Sequence, residues 1–337
     1  MDADGCTNPL KQAGSDGKWF VYGSLKPGEL GFRQIEHLID HHEPAQVNGY
    51  RIMIRDGLPG LSNGEGGVVE GGVVDGHLLY AKPEKETELQ SVIKLFETPE
   101  VYQLHDVEVI KAPQICVHAT ASFFKKLRRV PKPNDEPFES STWSVSDDVY
   151  FQYGLPTLFK MAHESRTNGG PGDSPHFWQE YLPIMGTFLN LWTVLERYVA
   201  FAKPAITGVN RVEGQGENVK CQEDHNVEKI TMLNHLKALQ KSDIGEKALN
   251  KVISKPTDRI HKSDGGGTPV MPGKVLENWY QIRNNSAHRG KSAYSDYRKV
   301  REAALGLSEF LVTLLSQEVN GLEHLQEHLT DSYSSKS

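Results

Sequence analysis

The chain has 337 residues, 37% of them hydrophobic and 24% charged, which is enough apolar material to exclude disorder throughout. At about 150 residues per domain, a chain of this length suggests two domains. The net charge of −7 argues against a protein that coats nucleic acid by bulk charge, so any RNA contact must be local.

Residues 1–18 are polar and Gly-rich and predict a flexible N-terminus without the apolar segment of a secretory signal. From Trp19 to about Val117 the signals are strand-like. Trp19 to Tyr22 is an apolar run stopped by Gly23-Ser24, Val68 to Tyr80 is rich in Val and Gly, and Val107 to Val117 alternates imperfectly. Two short helices are expected among these strands. One covers Gly31 to His42, with Ile35, Leu38 and Ile39 on one side. The other covers Glu84 to Phe96, with Leu89, Val92, Ile93 and Phe96 on one face. The mixture predicts an α+β domain over 19–120, a small β-barrel or curled sheet with flanking helices.

Residues 121–173 read as a linker or long surface excursion, because Lys125 to Ser146 is rich in charge, Pro and Ser. Its basic cluster (Lys125, Lys126, Arg128, Arg129, Lys132) reads first as a solvated face and second as a phosphate contact. Residues 174–320 then read as an all-α helical bundle. Ser174-Pro175 suits a helix start, and His176 to Lys203 carries a broad apolar face that Pro183 is expected to kink or split. Further helices are expected over Val227 to Gln240, from Lys274 to Ile282 onward, and over Ser295 to Gln317. Arg211 to Asp224 and Ser254 to Gly273 read as loops, and 321–337 as a frayed or partly helical tail.

The first candidate site begins where a strand runs into Tyr22-Gly23-Ser24-Leu25, followed by Lys26-Pro27-Gly28. Gly23 lets a ligand approach the backbone, and successive N–H groups in such a turn can hold a carboxylate or a developing oxyanion. Further along come Gly57-Leu58-Pro59-Gly60-Leu61, Val73 to Tyr80, Leu95-Phe96-Glu97, and Tyr102 ahead of Val107-Glu108-Val109. Motifs in this order resemble the gamma-glutamylcyclotransferase-like superfamily, closest to its gamma-glutamylamine cyclotransferase branch, over about a third of the chain. The resemblance implies a small β-barrel that cyclises a gamma-glutamyl group to 5-oxoproline and releases an amine, without metal or cofactor. It also implies that Glu97 is the carboxylate that moves the proton, that the turn from Tyr22 to Leu25 binds substrate through its backbone, and that Tyr102 lines the pocket. One carboxylate can serve as both base and acid if its pKa lies near neutrality. The departures from the family pattern (Ile93, Lys94, Thr98, Leu104) surround the carboxylate. Taken without the family, Glu97 reads as a surface glutamate at a helix end. The fold itself is equally compatible with a binding or regulatory module.

The second candidate site is Arg283-Asn284, with His288 five residues after the arginine. His288 can act as general base or acid on a ribose phosphate, and Arg283 can hold the phosphate through its planar fork. Asn284 and His288 share a helix face, whereas Arg283 stands about 140° from His288 and must curl back. Arg-Asn-x-x-x-His on the third helix of a small bundle resembles the HEPN superfamily. That resemblance implies a homodimer whose paired motifs cut RNA without a metal. Glu196 reads as an ordinary exposed helix residue, with a supporting role beside Arg283 as its alternative.

Other signals are set aside. Gly64-Glu65-Gly66-Gly67 lacks the Lys-Ser/Thr ending of a phosphate loop, and His41-His42-Glu43 has no partner cluster at metal-binding spacing. The three cysteines (Cys6, Cys116, Cys221) form no CxxC pair, and no run of about 18 apolar residues is present. A cytoplasmic location and no membrane, metal or cofactor are therefore expected. The leading expectation is a metal-independent ribonuclease with a barrel that acts as sensor, regulator or second enzyme, a pairing that on family analogy suits a toxin or defence protein. The alternatives are a gamma-glutamyl cyclotransferase with a helical dimerisation domain and a non-catalytic interaction protein. RNA, a small gamma-glutamyl ligand and a second copy of the chain are the candidate partners.

Overall fold

The computed structural model describes residues 17–55, 57–63, 72–97, 101–112, 115–124, 136–165, 177–202, 224–253, 274–289 and 293–334. It divides into two compact units, Met1–Asp148 and Val149–Ser337.

The first unit is built on strands β1 (Lys18–Val21), β2 (Ile39–Asn48), β3 (Arg51–Arg55), β4 (Leu58–Ser62), β5 (Val73–Ala81), β6 (Tyr102–Lys111), β7 (Ile115–Phe124) and β8 (Glu136–Pro137). Their order is β1-β5-β2-β6-β7-β4-β3-β8, and β1 also pairs with β7. That extra pairing closes β1, β5, β2, β6 and β7 into a five-stranded barrel, with β4, β3 and β8 continuing outward from β7. Closure removes the exposed edges that such short strands would otherwise present. Helix α1 (Glu86–Phe96) packs on the barrel through Leu89 and Ile93, which share a face one helical turn apart. They meet Trp19, Val21, Leu25, Phe32, Ile35, Leu38, Ile39 and Leu79 in one core.

Several expectations change here. The helix read over Gly31 to His42 is instead two short 3₁₀ turns, Gly31–Gln34 and Glu36–Leu38, after which the chain enters β2. Ile35, Leu38 and Ile39 are buried as expected, but spacings of three and one satisfy a tight turn leading into a strand as well as an α-helix. Within the stretch read as a linker, β7 runs to Phe124, and Trp143 and Val145 are fully buried. A π-helical turn at Tyr150–Gly154 then leads into α2 (Leu155–Glu164). Sparse apolar residues among Pro and Ser can still anchor a segment when each of them is large.

The second unit continues with α3 (Phe177–Ala202), α4 (Asp224–Lys241), α5 (Asp243–Ile253), α6 (Val275–Arg289), α7 (Ala293–Glu318) and α8 (Leu325–Ser334). Pro183 does not split α3, which runs unbroken past it. Pro183 is the seventh residue of that helix, so its missing N–H removes an early hydrogen bond and leaves the later turns intact. Helix α5 was not expected from the sequence; Ala248, Leu249 and Val252 give it a narrow buried face. Helix α7 is the central element, packing on α2, α3, α5 and α8. The helix start at Ser174-Pro175, the basic cluster between Lys125 and Lys132, the loop Ser254 to Gly273 and the Gly64 to Gly67 segment lie outside the described residues. Among the described residues, no helix is long and apolar enough to cross a membrane.

Candidate active site

Strand β1 delivers Tyr22 into the unit's interior, where it is 5% exposed. Its hydroxyl donates to the carbonyl of Ser122 at 2.6 Å and accepts the N–H of Leu61 at 3.1 Å. One side chain therefore ties the end of β1 to both β7 and β4. The turn that follows is closed by the N–H of Lys26 donating to the carbonyl of Gly23 at 3.0 Å. Leu25 is buried in the core and anchors the turn from beneath. A side chain at Gly23 would stand 3.2 Å from Pro59 Cγ, so the turn lies directly on β4.

Glu97 follows the last residue of α1, and its N–H still donates to the carbonyl of Ile93 at 2.8 Å. Gly31 supplies the link between this helix end and the turn. A Cβ at Gly31 would lie 2.6 Å from the carbonyl oxygen of Ser24 and 2.7 Å from the ring of Phe96. The turn and the residue before Glu97 thus approach each other over a position that has room only for glycine. The phenol of Tyr22 registers the same proximity. It is held well above its usual pKa by burial, then by the charges of Glu97 and Tyr102, against the opposing effect of the Leu61 hydrogen bond. Tyr102, at the start of β6, donates to the carbonyl of Pro59 at 2.9 Å.

Tyr22, the Gly23–Leu25 turn, Glu97 and Tyr102 are therefore gathered in one region, from positions spread over more than eighty residues of sequence. Arg55 is the neighbour that sequence reasoning missed. It is 8% exposed, and its guanidinium carbon lies 4.3 Å from the ring centroid of Phe124. Phe124 in turn stacks on Tyr102 at 5.5 Å. A buried cation over an aromatic stack holds Phe124 against Tyr102 from the far side. The sequence carries no signal for it, because the burial of β3 does not alternate strictly and Arg51, at its other end, is exposed.

In the second unit, the Arg283 motif occupies the last turns of α6. Arg283 donates to the Asn284 side-chain oxygen at 3.2 Å and pairs with Glu196 on α3 at 3.5 Å. Glu196 also accepts the indole N–H of Trp192 at 2.7 Å, and Trp192 lies against Tyr280 at 5.8 Å. The reading of Glu196 as an ordinary exposed glutamate is thereby corrected: it is Arg283's carboxylate partner across two helices. The backbone of His288 belongs to α6, while its side chain lies outside the described residues.

Among the described residues, no three His, Cys, Asp or Glu side chains are grouped to hold a metal ion. His41 stacks on Tyr80 at 4.1 Å, and Glu43 accepts from Tyr80 and Lys111 at 2.5 and 2.8 Å. The pair is thus engaged with organic neighbours on the barrel surface.

Residues 19–145 match the family of gamma-glutamyl cyclotransferase, AIG2-like domains. The N-terminal part of the chain is a domain of that kind. Two solved structures are similar to this chain. YkqA from Bacillus subtilis is 17% identical with a TM-score of 0.28, over 41% of this chain and 42% of that one. A gamma-glutamyl cyclotransferase specific to glutathione from yeast is 15% identical with a TM-score of 0.25, over 55% of this chain and 95% of that one. The chain thus spans under half the length of YkqA. Among curated proteins, none matches the sequence.

Proposed function

We propose, from the premise that residues 19–145 form a gamma-glutamyl cyclotransferase, AIG2-like domain, that this unit cyclises a gamma-glutamyl amine to 5-oxoproline. In this reading the backbone of the Gly23–Leu25 turn holds the substrate's glutamyl end. Glu97 takes a proton from the α-ammonium, and the freed amine attacks the γ-carbonyl carbon. The C–N bond to the leaving amine breaks, Glu97 returns the proton to that nitrogen, and the ring nitrogen gives its second proton to the departing amine, which leaves as an ammonium. The substrate is its own nucleophile, so the protein supplies orientation and a proton relay, and no water is consumed. The observation that carries the reading is the convergence at Gly31, where the turn and the helix end that presents Glu97 meet with no room for a side chain. Tyr22 and Tyr102 are both spent on backbone carbonyls, which makes them walls that position the turn. The test is release of 5-oxoproline from gamma-glutamyl amines by the purified chain, with Glu97→Gln as the variant. No release from any gamma-glutamyl amine overturns the reading and favours a binding module.

A second reading concerns the helical unit and rests on the Arg283–Glu196–Trp192 cluster joining α3 and α6. In a HEPN-like ribonuclease, Arg283 would hold the scissile phosphate beside His288, and two copies of the chain would pair to complete the cleft. The ion pair weakens this reading relative to the first, because Glu196 already neutralises the guanidinium that phosphate would need. Cleavage of labelled RNA in EDTA, lost in His288→Ala, with a dimer in solution, would sustain it. Uncut RNA would leave the cluster as helix-to-helix packing.

A further inference from the structure

The barrel carries a second concave surface, a groove of about 660 Å³, within the range of small-molecule sites. It is lined by residues from the turn after β1 and by β2, β5 and β6, among them Lys26, Gln46, Asp75, His77, Lys111 and Thr142. Neither the Tyr22–Leu25 turn nor Glu97 nor Tyr102 lines it. The groove adjoins the turn through Lys26, whose N–H donates to the carbonyl of Gly23, but shares none of those residues.

The polar groups of the groove are unevenly satisfied. Asp75 accepts from Gln46 at 2.7 Å and from the hydroxyl of Ser141. Glu29, also on the wall, accepts the N–H of Val145 at 3.0 Å. Lys111 is paired with Glu43. Lys26 differs: its ammonium donates to the neutral hydroxyl of Thr142 at 2.7 Å, and among the described residues it makes no ion pair. Its pKa is lowered by burial, against the nearby charges of Glu29, Asp147 and Asp75. His77 is also incomplete, because its Nδ1 is buried with no hydrogen-bond partner among the described residues. A buried imidazole nitrogen of this kind is rare in native structures unless a water or ligand meets it. Burial, then His42, then Lys26 lower the pKa of His77.

From these placements we infer that the groove binds a small zwitterion of amino-acid type, its carboxylate between Lys26 and His77 and its ammonium toward Asp75. The carboxylate gives Lys26 the charged acceptor it lacks and gives the neutral imidazole an acceptor for its N–H. Asp75 keeps acceptor capacity, because an ionised carboxylate offers about four lone-pair positions and two neutral donors use only part of them. The lining charges select the ligand class. Lys26 and Lys111 are balanced by Glu29 and Asp75, so a ligand with one charge of each sign fits, and a doubly negative phosphate meets repulsion from both carboxylates.

The experiment uses the full chain with ¹³C-labelled histidine, with the His77 signal assigned by its loss in His77→Gln. L-alanine, acetate and inorganic phosphate are titrated in turn. L-alanine is expected to move the His77 signal to saturation, acetate to do so more weakly, and phosphate not to saturate. Lys26→Met should weaken L-alanine at least about tenfold, as expected for loss of a charge-assisted contact. Lys26→Gln serves the same purpose if Lys26→Met fails to fold. Glu97→Gln should leave binding unchanged while stopping any 5-oxoproline release, so this site and the proposed active site fail independently. The inference is overturned if the His77 signal does not saturate with L-alanine, if phosphate binds more tightly, if both Lys26 variants bind as the parent does, or if Glu97→Gln abolishes the shift.

Discussion

In the N-terminal unit, Tyr22, Glu97 and Tyr102 come from a strand end, a helix end and a strand start, and the closed barrel holds all three in place. In the C-terminal unit, Arg283 and Asn284 are neighbours on one helix and reach a single residue, Glu196, on another. The first site is therefore fixed by many backbone pairings, and small residues mark where its parts touch. The second depends on how two helices pack, and its principal charge is neutralised within the protein. This difference favours the barrel as the seat of chemistry. A rigid frame can hold a proton relay against a reacting bond, whereas a guanidinium already paired with a carboxylate must first be released.

The comparison can be broken most directly at Glu97. Glu97→Gln is expected to lower 5-oxoproline release by a hundredfold or more, the scale of a lost general base, with unchanged thermal unfolding. A variant that remains active would remove chemistry from the barrel. Next in size is Gly76→Ala on β5. Its new methyl group would press on the carbonyl of Val21 and stand 2.7 Å from the ring of Phe20. Overpacking against backbone costs about 3 kcal/mol. In urea, tertiary signals from the barrel should be lost earlier while the helical far-ultraviolet signal of the second unit persists. A single shifted transition would show instead that the two units unfold together.

Tyr22→Phe is expected to cost about 2 kcal/mol, because the Ser122 carbonyl and the Leu61 N–H both lose a buried partner. The pH dependence sharpens this. The folded pKa of Tyr22 is raised, so its stabilisation is complete below the unfolded value of about 10 and declines as pH rises beyond it toward the higher folded value. The stability gap between parent and Tyr22→Phe should therefore narrow above about pH 10, as measured by urea midpoints across pH. The smallest effect is expected from Glu196→Gln. The pair with Arg283 is about one-third exposed, and the glutamine can still accept from Trp192, so the loss should stay below about 1 kcal/mol. A much larger loss would give the helical cluster a structural weight equal to that of the barrel site.

The sequence made parts of each unit legible for different reasons. Strand β1 was readable because Trp19 to Tyr22 is a compact apolar run with a glycine stop. Helix α1 was readable because Leu89 and Ile93 keep helical spacing for long enough. The turn at Gly31 to Leu38 was misread because three buried residues at short spacing do not separate an α-helix from a tight turn entering a strand. Trp143 sits in a segment whose average composition is that of a linker, although one buried indole is enough to anchor it. Glu97 and the Tyr22 turn are candidates through the order of their motifs, whereas Arg55 has no motif and is visible only through the ring it covers.

The sequence by itself determined that this is a chain of two textures, strands and then helices, and it placed most core-facing residues on their correct sides, because burial follows local apolar spacing. Only the tertiary structure decided that β1 closes against β7, that Gly31 brings the turn to the end of α1, and that Glu196 neutralises Arg283. Those facts depend on contacts between residues far apart in the chain. Such contacts are set by barrel closure and helix packing, which no local window of sequence contains.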